Sequence, residues 1–269
     1  MPELPEVETV RRSLAAIVGQ TIEGIEVRER RLRLPITADI SQRTVGRRII
    51  SIDRRGKYLL VHLSGSEAVL AHLGMSGTFI LRPLTAPLEL HDHLRFLLSG
   101  GSALVFNDPR RFGLILLGNP ESFGELAHMG PDPLSEEFTP AWLYQLTRGR
   151  KRPVKNLLMD QRLIAGIGNI YANEILFEAG VRPSRQARRV KLAELDLLFQ
   201  ATRRVLQEAI ASGGSSISDY RDGGGQPGYF QLMFRVYDRH GEPCRRCGTA
   251  VRRVVHAGRS SFYCPSCQR

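Results

Sequence analysis

Lysine is almost missing from a strongly basic chain. Of 38 cationic residues only Lys57, Lys151, Lys155 and Lys191 are lysine, and 27 acidic residues leave a net charge of +11 over 269 residues. Cysteine occurs four times, always within the last 26 residues, and tryptophan once. Cysteines confined to one end exclude a disulfide-stapled miniprotein. No apolar run approaches the roughly 20 residues that span a bilayer, so no membrane partner is expected. The start MPELPEVETV is acidic and proline-bearing, where a secretory leader is basic and then apolar. A cytoplasmic location is expected. Hydrophobic and charged fractions of 42% and 24% are those of a globular protein with a real core, and exclude a disordered tail or a collagen-like chain.

What is present is arginine. Its planar fork grips phosphate with two hydrogen bonds, although a coding preference for arginine on a solvated surface explains the ratio equally well. The net charge and its clustering point to a polyanionic partner, nucleic acid in the first place. Residues 235–269 hold eight arginines against Asp238 and Glu242, and the run Arg148, Arg150, Lys151, Arg152, Lys155 contains no acid.

Along the chain the hydrophobic period changes twice. Val7, Val10, Leu14, Ile17 and Val18 predict a helix over 5–18, with Pro5 in its first turn and Gly19 as its stop. From 21 to 117, short Ile/Val/Leu runs alternate with turn residues, which predicts an antiparallel β-sandwich or barrel with hairpin tips at 53–57, 74–77 and 107–113. Residues 130–140 read as a linker. Helices are predicted over 141–148, 154–163, 169–179 and 191–211, followed by a glycine-rich loop. The fold class is therefore α+β: an N-terminal helix with an antiparallel β-sandwich (1–130), a helical domain (131–234) and a small metal module (235–269).

That module carries Cys244-x2-Cys247 and, sixteen residues on, Cys264-x2-Cys267. Two such knuckles place four thiolates around one Zn²⁺. The intervening VRRVVHAGRSSFYC reads as a β-hairpin, and with no other thiol in the chain the zinc is structural. At the other end, Pro2 follows the initiator Met. Removal of Met1 would free a secondary amine whose α-amino pKa of about 8 lies below that of lysine. Such an amine can form a Schiff base with a sugar carbon, and Glu3 beside it can move protons.

MPELPEVETVRR, GKYLL (56–60), HLGMSG (72–77), NDPRRFG (107–113), GIGNIYANEILF (166–177) and the zinc ribbon together resemble the bacterial formamidopyrimidine-DNA glycosylases, over essentially the whole chain. The resemblance implies a helix–two-turns–helix module at 131–234 and a monomer in the bacterial nucleoid. It also implies a base-excision repair enzyme that removes oxidised purines (8-oxoguanine, formamidopyrimidines) from double-stranded DNA and cleaves abasic sites by β,δ-elimination. Pro2 then corresponds to the nucleophile, Glu3 to its proton donor, Lys57 to the lysine of β-elimination and Arg259 to the final elimination. His91, Lys151 and Asn169 correspond to DNA contacts, Asn169 also being placed as a helix cap. Glu6 corresponds to a further carboxylate, or is simply a helix-start charge. Met75, Arg110 and Phe112 either tuck onto their own sheet or, as the resemblance implies, fill the gap left by an everted nucleotide. Residues 217–225 correspond to a lesion-capping loop. The sister enzyme for oxidised pyrimidines shares much of this pattern but usually begins PEGPE, where this chain reads PELPE.

Overall fold

The computed structural model describes residues 1–216, 220–256 and 258–269, apart from the His256 side chain. Of the 217–225 loop, residues 217–219 lie outside the described residues. The chain forms two compact units, Met1–Ala127 with Ser212–Tyr229, and His128–Ala211 with Phe230–Arg269.

The first unit opens with helix α1 (Leu4–Ser13), begun by a capping box between Glu3 and Glu6. The helix is shorter than the predicted 5–18. The chain tightens into a 3₁₀ turn at Leu14–Ile17, and Gly19 turns it at φ +89°. Next come β1 (Ile22–Val27), a one-turn helix α2 (Ile40–Thr44), and seven strands: β2 (Ile49–Arg55), β3 (Tyr58–Leu63), β4 (Ala68–His72), β5 (Thr78–Pro83), β6 (Asp92–Leu98), β7 (Ser102–Asn107) and β8 (Leu114–Gly118).

They form two four-stranded antiparallel sheets, in the orders β1-β6-β7-β5 and β2-β3-β4-β8. This is the predicted sandwich, with one correction to its turns. Of the three predicted tips, only 53–57 joins paired neighbours. The turns 74–77 and 107–113 join β4 to β5 and β7 to β8, which lie in different sheets, so both are crossovers. Buried runs such as Ala68–His72 leave the choice of sheet open in the sequence. One core joins Val7, Val10 and Leu14 of the N-terminal helical segment to Ile52, Phe79, Phe96 and Phe106 of the strands, with Phe79 meeting Phe106 edge-on at 5.7 Å.

The second unit contains α3 (Pro140–Thr147), α4 (Val154–Leu158), α5 (Asn169–Glu178), α6 (Leu192–Ala211) and the hairpin β9 (Arg252–His256) with β10 (Arg259–Tyr263). Helix α4 stops well short of the predicted 163. Asp160 takes the Arg162 N–H at 3.1 Å, and Gln161 bonds Ile167 O and Gly166 N, both at 2.8 Å. These side-chain bonds hold 159–168 as a turn in place of more helix. Helix α5 is buried from Ile170 to Phe177, Asn173 and Glu174 included.

Candidate active site and zinc module

The N-cap and the start of α1 are buried although they carry three carboxylates. Pro2, Glu3, Glu6 and Glu8 are all buried, and each described carboxylate bond has a structural reason. Glu6 Oε2 accepts the Glu3 N–H at 2.8 Å, which fixes the backbone beside Pro2. Glu6 Oε1 accepts the Ser215 N–H at 2.7 Å and the Ser215 hydroxyl at 3.0 Å. The Tyr220 hydroxyl donates to Glu6 O at 3.0 Å. The root of the glycine-rich loop is thus tied to the helix that carries Pro2. Gly214, at φ +81°, would place a Cβ 3.0 Å from the Glu6 side chain, so the close approach needs glycine.

Glu8 joins α1 to the β2–β3 hairpin. It accepts from Arg11 at 2.9 and 3.0 Å, Arg12 at 2.8 Å and Arg54 at 3.1 Å. Burial works to raise its carboxyl, but the arginines win and hold it at about 2. Arg54 also donates to Gly56 O at 3.1 Å. Gly56 has φ +58° and precedes Lys57, which is buried at 6% exposure, unlike an ordinary surface lysine. The Lys57 charge, with Arg33, acts on His72, but burial contributes most to lowering that imidazole to about 3. His72 is neutral at physiological pH, and its Nδ1 accepts the Gly74 N–H at 2.9 Å.

The two crossovers are laced together. A Cβ on Gly74 would fall 2.5 Å from the Phe112 backbone. Ser76 Oγ donates to Asp108 at 2.6 Å, and the Arg110 and Gly113 N–H groups donate to the same carboxylate at 3.2 and 2.8 Å. Met75, Arg110 and Phe112 are brought onto one rim, and Arg110 lies 4.9 Å above the Phe112 ring. Met75 is 42% and Phe112 46% exposed, so neither tucks onto its sheet. His91 is half-buried and lines a cleft of about 320 Å³ with Arg28, Glu29, His93 and Arg111. Asp108, fully buried, organises this rim and is missed by residue-by-residue reading. The signal for it is the Asn-Asp-Pro run before two arginines.

In the second unit, Lys151 is exposed in the loop before α4. Asn169 is the first residue of α5 and Gly168 is the N-cap, which corrects the placement of Asn169 as the cap. Its Oδ1 is buried without a hydrogen-bond partner. Arg259 is exposed at the start of β10. The four cysteine Sγ atoms lie within 4.8 Å of one another, with separations of 3.4, 3.5 and 4.0 Å. A tetrahedron of Zn–S bonds of about 2.3 Å has edges of about 3.8 Å, so the four thiols fit one zinc ion. The module is fastened to α5 and α4 by buried polar groups: the sequence reading passed over Asn173 and Glu174, and it counted Lys155 in the basic run facing a polyanion, whereas Lys155 is buried. Asn173 accepts the Phe262 N–H at 2.8 Å. Glu174 accepts the Arg235, Val236 and Tyr237 N–H groups at 2.8 to 3.0 Å, while burial pushes its carboxyl upward. Lys155 donates to Ser260 O at 2.7 Å and Ser261 Oγ at 2.8 Å.

A buried N-terminal cap, a buried lysine on the hairpin bound to its helix and a four-thiolate ribbon rich in arginine define a zinc-ribbon protein suited to a polyanion. Comparison with known proteins narrows this class. Residues 1–115 match the formamidopyrimidine-DNA glycosylase N-terminal domain, 129–221 its H2TH domain, and 241–269 the zinc finger found in FPG and IleRS. Formamidopyrimidine-DNA glycosylases of Hahella chejuensis and Laribacter hongkongensis are 47% and 46% identical, over the full length of both chains. The MutM (Fpg) protein of Thermus thermophilus is 43% identical with a TM-score of 0.88, covering 99% of this chain and 98% of that one. Lactococcus lactis Fpg in complex with DNA containing an abasic site is 36% identical with a TM-score of 0.92, covering 99% of both. The chain belongs to the formamidopyrimidine-DNA glycosylase family.

Proposed function

We propose that this protein is a base-excision repair DNA glycosylase that removes oxidised purines from duplex DNA and then cleaves the abasic site as a lyase. The observation that carries the reading is the conjunction of a full-length family match with Pro2, Glu3 and Lys57, all buried, at the start of α1 and on the hairpin bound to it. With Met1 removed, the Pro2 nitrogen adds to C1′, and the glycosidic bond breaks with its electron pair leaving on the base. Opening of the sugar ring, with Glu3 supplying a proton to O4′, gives an iminium ion. The N–H proton of Pro2, lost after addition and taken up by the departing base, frees the nitrogen lone pair to open the ring, and the resulting iminium has no N–H to lose, which suits proline to the role. The iminium is an electron sink for two eliminations. Loss of a C2′ proton expels the 3′ phosphate, with Lys57 serving this step. A second elimination, assigned to Arg259, expels the 5′ phosphate.

Met75 and Phe112 fill the space of the everted nucleotide, and Arg110 faces the orphaned cytosine. His91, Lys151 and Asn169 hold phosphates; the position of Asn169 at the positive end of α5 supports this for Asn169. Zinc holds the ribbon rigid and takes no part in the chemistry. In functional terms we divide the chain into a catalytic β-sandwich (1–130), a helix–two-turns–helix domain with its capping loop (131–234) and a zinc finger (235–269). The protein acts as a monomer in the bacterial cytoplasm, on the nucleoid; among the described residues no helix is long and apolar enough to cross a membrane.

Borohydride reduction with a duplex containing 8-oxoguanine opposite cytosine tests this reading. The expected result is a covalent adduct mapping to Pro2. Zinc-loaded, folded protein with its mature N-terminus that gives no adduct, or that prefers thymine glycol, overturns it.

A further inference from the structure

We propose that a two-stranded arginine ribbon in the second unit is an accessory DNA-backbone track that continues from Lys151 beyond the residues assigned above to the lesion. The inference rests on the glycosylase reading and adds to it a surface that the chemistry does not use. Residues 150–155 and 183–188 run antiparallel. Arg188 N donates to Arg150 O at 3.0 Å, Ala187 N to Arg152 O at 3.0 Å and Val154 N to Arg185 O at 2.8 Å, while Pro153 bridges Gln186. This lacing sets Arg150 opposite Arg188. Arg148, Arg150, Lys151, Arg188, Arg189 and Lys191 are all exposed on these loops and their flanks.

None of the six has an acidic partner within ion-pair distance among the described residues, and the neighbouring acids are already taken. Asp160 pairs with Arg152 at 3.0 Å and Glu194 with Arg185 at 2.7 Å. Elsewhere the chain neutralises its arginines closely: Glu8 takes three, and Glu178 pairs with Arg204, Arg235 and Arg246. Like charges at facing positions of paired segments destabilise them. A fold that spends two hydrogen-bonded loops on displaying such charges gains from a polyanion laid along them. Lys151, assigned above to phosphate binding, marks where that polyanion passes. Arg150, Arg188 and Arg189 continue the track along the same backbone, as forks suited to successive phosphates. The partner is therefore double-stranded DNA flanking the lesion, bound without regard to sequence.

The test is the triple variant Arg150→Gln/Arg188→Gln/Arg189→Gln, with Arg189→Glu alone as a milder second variant. Binding to a duplex of about 40 base pairs, long enough to reach past the lesion contacts and carrying a stable abasic analogue, is measured from low to high salt. Loss of three phosphate contacts lowers the slope of log K against log salt by roughly 2.7, at about 0.9 per contact, and weakens binding at low salt by about tenfold or more. Arg189→Glu shifts both in the same direction. Wild-type slope and affinity in both variants, with zinc content and melting temperature intact, overturn the proposal. So does a defect that appears only with acidic proteins or anionic vesicles. Failure of the glycosylase reading is separately visible, because the unsubstituted protein would then leave abasic DNA uncut.

Discussion

Replacing Glu8 by Gln should cost the first unit a pH-dependent stability whose size and window follow from the structure. Burial opposes the charge on Glu8, but hydrogen bonds from Arg11 and Arg12 and the charge of Arg54 outweigh it and hold the carboxyl at about 2 instead of 4.5. A folded-state pKa below the unfolded one means that the contribution is fully present above pH 4.5 and is lost as the pH falls through 2. At neutral pH it amounts to about 3 kcal/mol, and by about pH 3 to about 1.4 kcal/mol. Gln keeps the shape, but it has one acceptor oxygen where three guanidiniums need two, and it removes the carboxylate charge that faces the buried Arg54. Urea unfolding followed by the β-sheet circular dichroism signal, for wild type and variant between about pH 7 and about pH 3, measures the gap. The gap should be at least about 3 kcal/mol near neutral pH and narrow steadily below about pH 4.5. A gap below about 1 kcal/mol near neutral pH, or one that does not change with pH, would refute the reasoning. Because Arg54 also holds Gly56 O beside Lys57, strand nicking by the variant should fall with little change in DNA affinity.

Three further outcomes follow from the same structure. Gly74→Ala drives a Cβ to 2.5 Å from the Phe112 backbone at φ +63°; it should cost about 1–3 kcal/mol and lower excision opposite cytosine, and an unaltered melting temperature would count against the laced crossovers. Lys155→Met leaves Ser260 O and Ser261 Oγ without their donor, a loss of about 1–3 kcal/mol that should appear as faster zinc release to a chelator. Stripping zinc should abolish hydrogen-exchange protection across β9 and β10 while the sandwich strands keep theirs; protection that survives without metal would show that the ribbon folds on its buried polar anchors alone.

The sequence made the sandwich legible because its eight strands are short apolar runs broken by turn residues, and hydrophobic alternation reports just that. It did not reveal which sheet each strand joins. The 74–77 and 107–113 turns look like hairpin tips, and only the completed pairing of β5 with β7 and of β8 with β4 makes them crossovers. The one-turn helix α2 is too short for a period to register. The candidate site was legible where chemistry leaves an unusual residue, at Pro2, at Lys57 in a lysine-poor chain and at the cysteine knuckles. It was illegible where an ordinary polar residue is buried. Asn173 and Glu174 show why: α5 is buried on every face around them, so neither has an exposed side to occupy. Only the packing reveals that their oxygens meet the backbone N–H groups of Phe262 and of 235–237.

The acids of this chain also explain where its positive charge goes. Buried carboxylates are spent on internal work. Glu6 ties the loop root to α1, Glu8 gathers three arginines, and Asp92 holds Arg82 and Asn107. Asp108 shapes the rim that carries Arg110, and Glu174 anchors the start of the zinc module. Each is consumed by a backbone turn or by an arginine with a structural task, and is then unavailable to screen the surface. Among the described residues, Arg148, Arg150, Arg188 and Arg189 have no acidic partner, the acids near them being paired with Arg152 and Arg185. The net charge of +11 is set by composition, but where it shows is set by allocation: the fold turns several acids inward and leaves a group of cations where a phosphate backbone can supply counter-charge.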